Sequence, residues 1–184
     1  LNFAGAGWAS PIFEINGTVI EMNVSYLSDF LDDLLQTFCE ICELIDIDYE
    51  TETFYFECYD EPGVYEWEFE LKAENVLKAK MIFYEDRFLK TKEAPENETI
   101  TEKAFECDLY EFLNELLAAV EIELKRSGIV GYSKNWDDSE FPFAKYLQLK
   151  LFVQSKKNNL TRDDNWFASS DLAEELKVLN KLIE

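Results

Sequence analysis

The chain has 184 residues, a net charge of −22 and a pI near 4.2, a field that repels nucleic acid and anionic membranes and attracts basic proteins. Its 47% hydrophobic and 15% aromatic content excludes a disordered chain, and no apolar run approaches the roughly 18 residues of a membrane-spanning helix. There is no histidine, which removes Ser-His-Asp and Cys-His nucleophile systems and every His-ligated metal site.

The charge is unevenly placed. Residues 1–71 hold 17 acids and no base, while residues 72–184 hold the other 22 acids and all 17 bases. In chain order, Pro11 to Val24 reads as a hairpin turned at Asn16-Gly17, the strongest two-residue turn signal. Its second strand runs into a helix starting near Ser25 or Ser28. Leu27, Phe30, Leu31, Leu34, Leu35, Phe38, Ile41, Cys42 and Ile45 mark that helix's apolar face, and Asp29, Asp32, Asp33 and Glu40 its polar one. Three alternating strands follow at about 53–59, 64–72 and 76–84, turned at Pro62-Gly63 and at Ala73-Glu74-Asn75.

A polar loop over 93–99 leads to a fourth strand at about 100–107. This runs straight into a second helix, with Asp108 as N-cap and Ser127-Gly128 as its stop. The stretch Leu27 to Leu35 matches Leu109 to Leu117 in pattern, so either a strand–helix unit is duplicated or two helices obey one packing rule on one sheet. Pro142 suits the first turn of a third helix reaching about Ser155. Asp171 and Glu174 resemble a capping box for a last helix over 172–183, whose stripe of Leu172, Leu176, Leu179 and Leu182 needs a surface to pack on.

The fold expected is α+β: an antiparallel sheet of five to six strands, two amphipathic helices on one face, and C-terminal helices. Residues 1–155 form the domain, and 156–184 a linker and helix packed on it. A three-residue loop at 73–75 sets Glu70 opposite Lys78, Glu68 opposite Lys80, Trp67 opposite Met81 and Phe69 opposite Ala79. Two of the acids in the row Glu66, Glu68, Glu70 are thereby answered by ion pairs. Across the other turn an acid meets an acid in either register, Glu57 opposite Glu68 or opposite Glu66.

The same outer face carries Tyr55, Tyr59 and Tyr84. Tyrosines supply contact area at low entropy cost and carboxylates accept arginine forks. The candidate binding residues are therefore Tyr55, Glu57, Tyr59, Glu66, Glu68 and Tyr84, for a basic protein partner. The competing expectation is that the C-terminal helices cover this face.

Other patterns point to chemistry weakly. Cys39-Glu-Ile-Cys42 has CxxC spacing but lies inside a helical pattern. It reads, with Cys58 and Cys107, as structural thiols in a reducing compartment, here the cytoplasm. Sequons at Asn16, Asn23, Asn97 and Asn159 point the other way and are discounted. Asp46-Ile-Asp-Tyr-Glu50 lacks the glycine and length of a calcium loop. The pairs Asp60-Glu61 and Glu85-Asp86 read as solvated turns, and Trp136 as a loop tryptophan pinned to its own domain. No metal, no cofactor, no catalytic residue, no nucleic acid and no membrane is expected.

In size, α+β layout and acidity the chain resembles, by general type only, the small acidic bacterial immunity and antitoxin-type proteins. That resemblance implies a non-enzymatic inhibitor of a basic protein toxin. The alternatives are a structural or scaffold protein forming a homodimer through the sheet face, and a carboxylate-dependent metal enzyme.

Overall fold

The computed structural model describes residues 3–45, 52–72, 75–86, 100–157, 160–162 and 168–183. Its centre is a four-stranded antiparallel sheet of β6 (Thr53–Asp60), β7 (Gly63–Leu71), β8 (Val76–Tyr84) and β9 (Ile100–Asp108), in that spatial order. Alternation drives the assembly. Phe56, Trp67, Phe69 and Phe105 all point to one face, where Trp67 and Phe69 stack at 5.4 Å and Phe56 lies 6.3 Å from Trp67. Such ring pairs add about 0.5–1.5 kcal/mol each beyond the area they bury.

Two helices cover that face, α1 (Phe30–Leu44) and α2 (Leu109–Asn135). Phe38 of α1 meets Phe69 edge-on at 5.1 Å, and Phe112 of α2 lies 5.0 Å from Phe38 and 6.1 Å from Phe105. α2 starts where expected, because the Asp108 carboxylate accepts the Glu111 N–H at 2.9 Å. α3 (Phe143–Ser155) packs on α1 and α2, and α4 (Leu172–Ile183) packs on α3 and α2 through buried Val178.

The N-terminal segment adds two small sheets. β1 (Phe3–Gly5), β2 (Trp8–Ala9) and β5 (Val24–Ser25) form one, and the hairpin β3 (Ile12–Ile15) and β4 (Thr18–Glu21) the other. Asn16 (φ 51°) and Gly17 (φ 82°) both take left-handed backbone, as the tight hairpin turn requires. A last pair, β10 (Thr161–Arg162) and β11 (Ala168–Ser169), precedes α4.

Several expectations need correction. Among the described residues the largest sheet has four strands, not five to six, because the β3–β4 hairpin does not join it. The hairpin turns Phe13 inward to sit 5.3 Å from Trp67 and 6.4 Å from Phe112, and it touches β9 through a side chain, Asn16 donating to the Glu106 carbonyl at 2.6 Å. It is a flap over the core and not a fifth rung.

α1 begins at Phe30, leaving Leu27 exposed, whereas Leu109 is fully buried, so the repeat-like pairing of the two helices fails at its first residue. Gly128 (φ 69°, ψ 168°) ends the first helical stretch of α2, as the Ser127-Gly128 stop predicts, and what the sequence did not announce is the second stretch that follows it. Buried Tyr132 and Trp136 anchor a further stretch of helix beyond the break. In α4, Leu172 and Leu176 remain exposed, and the packed side is that of Val178 and Leu182.

The β6–β7 loop is Glu61-Pro62, across a cis peptide, with Gly63 already in β7. A Cβ on Gly63 would lie 2.7 Å from the Phe83 ring and 2.9 Å from the Tyr84 carbonyl oxygen, so only glycine lets β7 approach β8 there.

Candidate functional site

The outer face of the large sheet is a lattice whose rows can be read across the strands. One row is Tyr55, Glu68, Lys80 and Ala104. The next is Glu57, Glu66, Ile82 and Glu102. The third is Tyr59, Val64, Tyr84 and Ile100. All six residues singled out for binding, Tyr55, Glu57, Tyr59, Glu66, Glu68 and Tyr84, thus fall on three adjacent rows of β6, β7 and β8.

The expectation that C-terminal helices cover this face does not hold among the described residues. α1, α2, α3 and α4 all belong to the opposite side, and Tyr55 is 60% exposed. Tyr59 and Tyr84 are half-buried on either side of Val64, which is itself fully buried. They therefore serve the sheet as well as its surface, while Tyr55 is an open ring.

The electrostatics differ from the expected pairing in one respect. Lys78 pairs with Glu70 at 3.5 Å, as the register requires. Lys80 lies opposite Glu68 but makes its ion pair with Glu102 of β9 at 3.0 Å, a bond that raises the Lys80 pKa. Lys72 bonds Glu106 at 2.7 Å, which lowers the pKa of that carboxyl.

Of the two registers open at the other turn, the one found puts Glu57 opposite Glu66. Asp60 and Gly63 close that turn as a hydrogen-bonded pair, so positions 59 and 57 alternate outward. The Tyr59 N–H accordingly points away from β7, to the Ser28 hydroxyl at 3.2 Å. Glu57 and Glu66 therefore form the non-hydrogen-bonded kind of pair, in which side chains stand closest. Neither carboxylate is without further interactions in the fold.

The remaining candidates are accounted for locally. Asp60 accepts from Asn23 Nδ2 at 3.0 Å and from the Tyr65 hydroxyl at 3.3 Å, and Tyr65 is pushed up to about 12 by burial. The amides of the sequon residues Asn16 and Asn23 are thereby both engaged, while Asn97, Asn159 and the acids Asp46, Asp48 and Glu50 lie outside the described residues. Trp136 is fully buried, pinned to its own domain as expected. Cys39, Cys42 and Cys58 are buried and Cys107 half-buried, all four as free thiols. Among the described residues no group of three or more acids and cysteines is placed to hold a metal ion, and no helix is long and apolar enough to cross a membrane.

One feature escaped the sequence. A groove of about 400 Å³ runs between β3 and the first turns of α2, with the buried Phe30, Leu31, Leu34 and Leu116 among the residues behind its lining. Three segments far apart in sequence build it, so no local pattern announces it. Compared with protein-family models, with curated proteins and with solved structures, the chain matches none.

Proposed function

We propose that the chain is a non-enzymatic binding protein that holds a basic protein on the outer face of β6, β7 and β8. It would act in the manner of the small acidic immunity and antitoxin-type proteins it resembles in general type. The observation that carries this reading is Tyr55, 60% exposed on a sheet face that no helix covers among the described residues, with Glu57, Glu66 and Glu68 on the same and the adjoining row. An exposed aromatic ring ringed by carboxylates suits an arginine- or lysine-rich surface. The ring contributes residence time and the acids contribute encounter rate.

Four strands spaced about 4.8 Å apart and eight residues long present a face of roughly 15 by 27 Å, or about 400 Å². That is half of one partner's share of an ordinary interface, with the sheet ends left to supply the rest. A homodimer through this face would press the acid rows of two copies together, which like-charge repulsion opposes.

The test is affinity capture of basic proteins on the immobilised chain, followed by binding kinetics of the captured partner. Tyr55→Ala should weaken binding by about 1–3 kcal/mol, mainly through faster dissociation, with folding unchanged because the ring is exposed. Glu68→Lys should slow association and flatten its salt dependence. A partner that binds both variants as tightly as the native chain refutes the assignment of this face.

A further inference from the structure

We propose that the groove between β3 and α2 is a second binding site, which takes an extended segment of another protein as an added strand on β3. The segment it fits alternates aliphatic residues with lysine or arginine. The site is separate from the outer sheet face and stands on different observations.

The first observation is the hydrogen-bond phase of the hairpin. Ile15 and Thr18 flank the two-residue turn and so form a hydrogen-bonded pair, as do Phe13 with Ile20 two residues on. The Met22 N–H donates to the Pro11 carbonyl at 3.1 Å, which continues the same phase. Ile12 and Glu14 fall between these pairs, so their N–H and C=O groups point away from β4. Among the described residues β3 pairs with β4 alone, so four backbone groups form an open edge.

The second observation is where that edge points. Every residue from Pro11 to Asn16 lines the groove and none of Thr18 to Glu21 does, so the open edge of β3 is the groove's wall. The opposite wall is the α2 row Glu111, Glu115 and Ala119. The four residues of β3 span about 14 Å and the α2 row about 12 Å, so the two walls match in length and hold about four residues of extended chain. The volume of about 400 Å³ falls within the size range of ligand-binding clefts.

The third observation is charge. Glu14, Glu111 and Glu115 rim the groove, and among the described residues that line it none is basic. An added strand alternates its side chains between the floor and the rim. Aliphatic residues would meet the half-buried Ile15, Cys107 and Ala119 of the lining, and lysine or arginine would meet the three glutamates. An acidic segment would be repelled by the same rim, and a second copy of this acidic chain is disfavoured for that reason.

The test uses the full chain and a labelled heptapeptide, Lys-Val-Lys-Leu-Lys-Val-Lys. Its controls are the glutamate counterpart and a form N-methylated at alternate residues, which cannot pair with an edge. The basic peptide should bind about tenfold or more tighter than either control. Amide signals should shift over residues 12–15 and 111–119. Glu14→Pro removes an outward N–H without touching the β4 ladder and should cut binding about tenfold, whereas Glu14→Gln should cut it only a few-fold. Ala119→Trp, on the groove wall, should block the site with the circular dichroism unchanged.

Equal binding of the N-methylated peptide, shifts confined to the outer sheet face, or no binding at about 1 mM peptide would each overturn the proposal. So would a concentration-dependent dimer of the native chain that Glu14→Pro dissolves, since the occupant would then be a second copy. The groove variants leave Tyr55 and Glu68 in place, and the sheet-face variants leave Glu14 and Ala119 in place, so failure here and failure of the sheet-face assignment are distinguishable.

Discussion

The acid pair Glu57–Glu66 gives the sharpest test of how the outer face is built. The two face each other in the non-hydrogen-bonded register, on a row that ends in Ile82 and Glu102. Two unit charges about 6 Å apart in water repel by about 0.7 kcal/mol, and screening at 0.15 M salt, with a Debye length near 8 Å, leaves about 0.3 kcal/mol. Reversing either residue to lysine turns that repulsion into attraction of similar size, and reversing both restores repulsion. The coupling energy across the cycle Glu57→Lys, Glu66→Lys and the double variant is four such contributions, about 1.3 kcal/mol.

Both residues interact elsewhere in the fold, and the cycle cancels whatever touches only one of them. The assay is urea unfolding of the four proteins at two salt concentrations. In about 1 M salt the Debye length falls to about 3 Å and the coupling should shrink to about 0.4 kcal/mol. A coupling near zero in low salt, or one that does not fall in high salt, would mean that the carboxylates are splayed apart. The face would then not present the concentrated charge that the binding assignment requires.

Two further outcomes follow from buried ionisable groups. Burial pushes the Cys107 thiol from its ordinary 9.0 up to about 11, so its thiolate should be about 100-fold scarcer and its reaction with a thiol reagent correspondingly slow. Cys39, pushed up to about 12, and the more deeply buried Cys42 and Cys58 should react only on unfolding, and a fast burst of two thiols would contradict this burial. Burial first, and then the neighbouring Asp32 charge, raise the Asp29 carboxyl above its ordinary 3.8. The folded state therefore holds that proton more tightly than the unfolded one. Stability is greatest below the unfolded value and falls as pH rises through the folded value. Asp29→Asn should raise Tm near pH 7 and lose that gain by about pH 3, and a gain that persists in acid would refute the assignment.

What the sequence disclosed, and what it hid, divides along the reach of each interaction. The pairs Trp67–Met81, Phe69–Ala79 and Glu70–Lys78 were legible because alternation and one short loop fix a two-strand register completely. The Asp108 cap was legible because it acts over three residues. The choice of Glu102 over Glu68 by Lys80 was not, since a central strand has two neighbours and β9 arrives from beyond a long connection. Asn16-Gly17 declared a hairpin but could not say whether its outer edge would meet a ladder or a groove. The groove needs residues near 12–16, 30–34 and 111–119 at once, and the only trace of it in one segment is the acidic and small row Glu111, Glu115, Ala119 at one-turn spacing.

The lopsided charge of the chain acquires a structural meaning from α3. Lys145 reaches back to Asp32 of α1 at 2.6 Å, and Lys150 pairs with Glu121 of α2, so bases from the second part of the chain answer acids on the helices they pack against. Lys72, Lys78 and Lys80 do the same along one end and the far edge of the sheet. The two surfaces proposed for binding draw much of their charge from the part of the chain that has no base, β3 with Glu14, β6 with Glu57, and β7 with Glu66 and Glu68, joined at the groove by Glu111 and Glu115 of α2. Fixed negative charge left in excess on an open face and along a groove acts at the range of the Debye length, before any contact forms. A basic partner would thus be drawn toward both surfaces by the same field. The ring of Tyr55 on one and the open backbone edge of β3 on the other would decide which part of it stays.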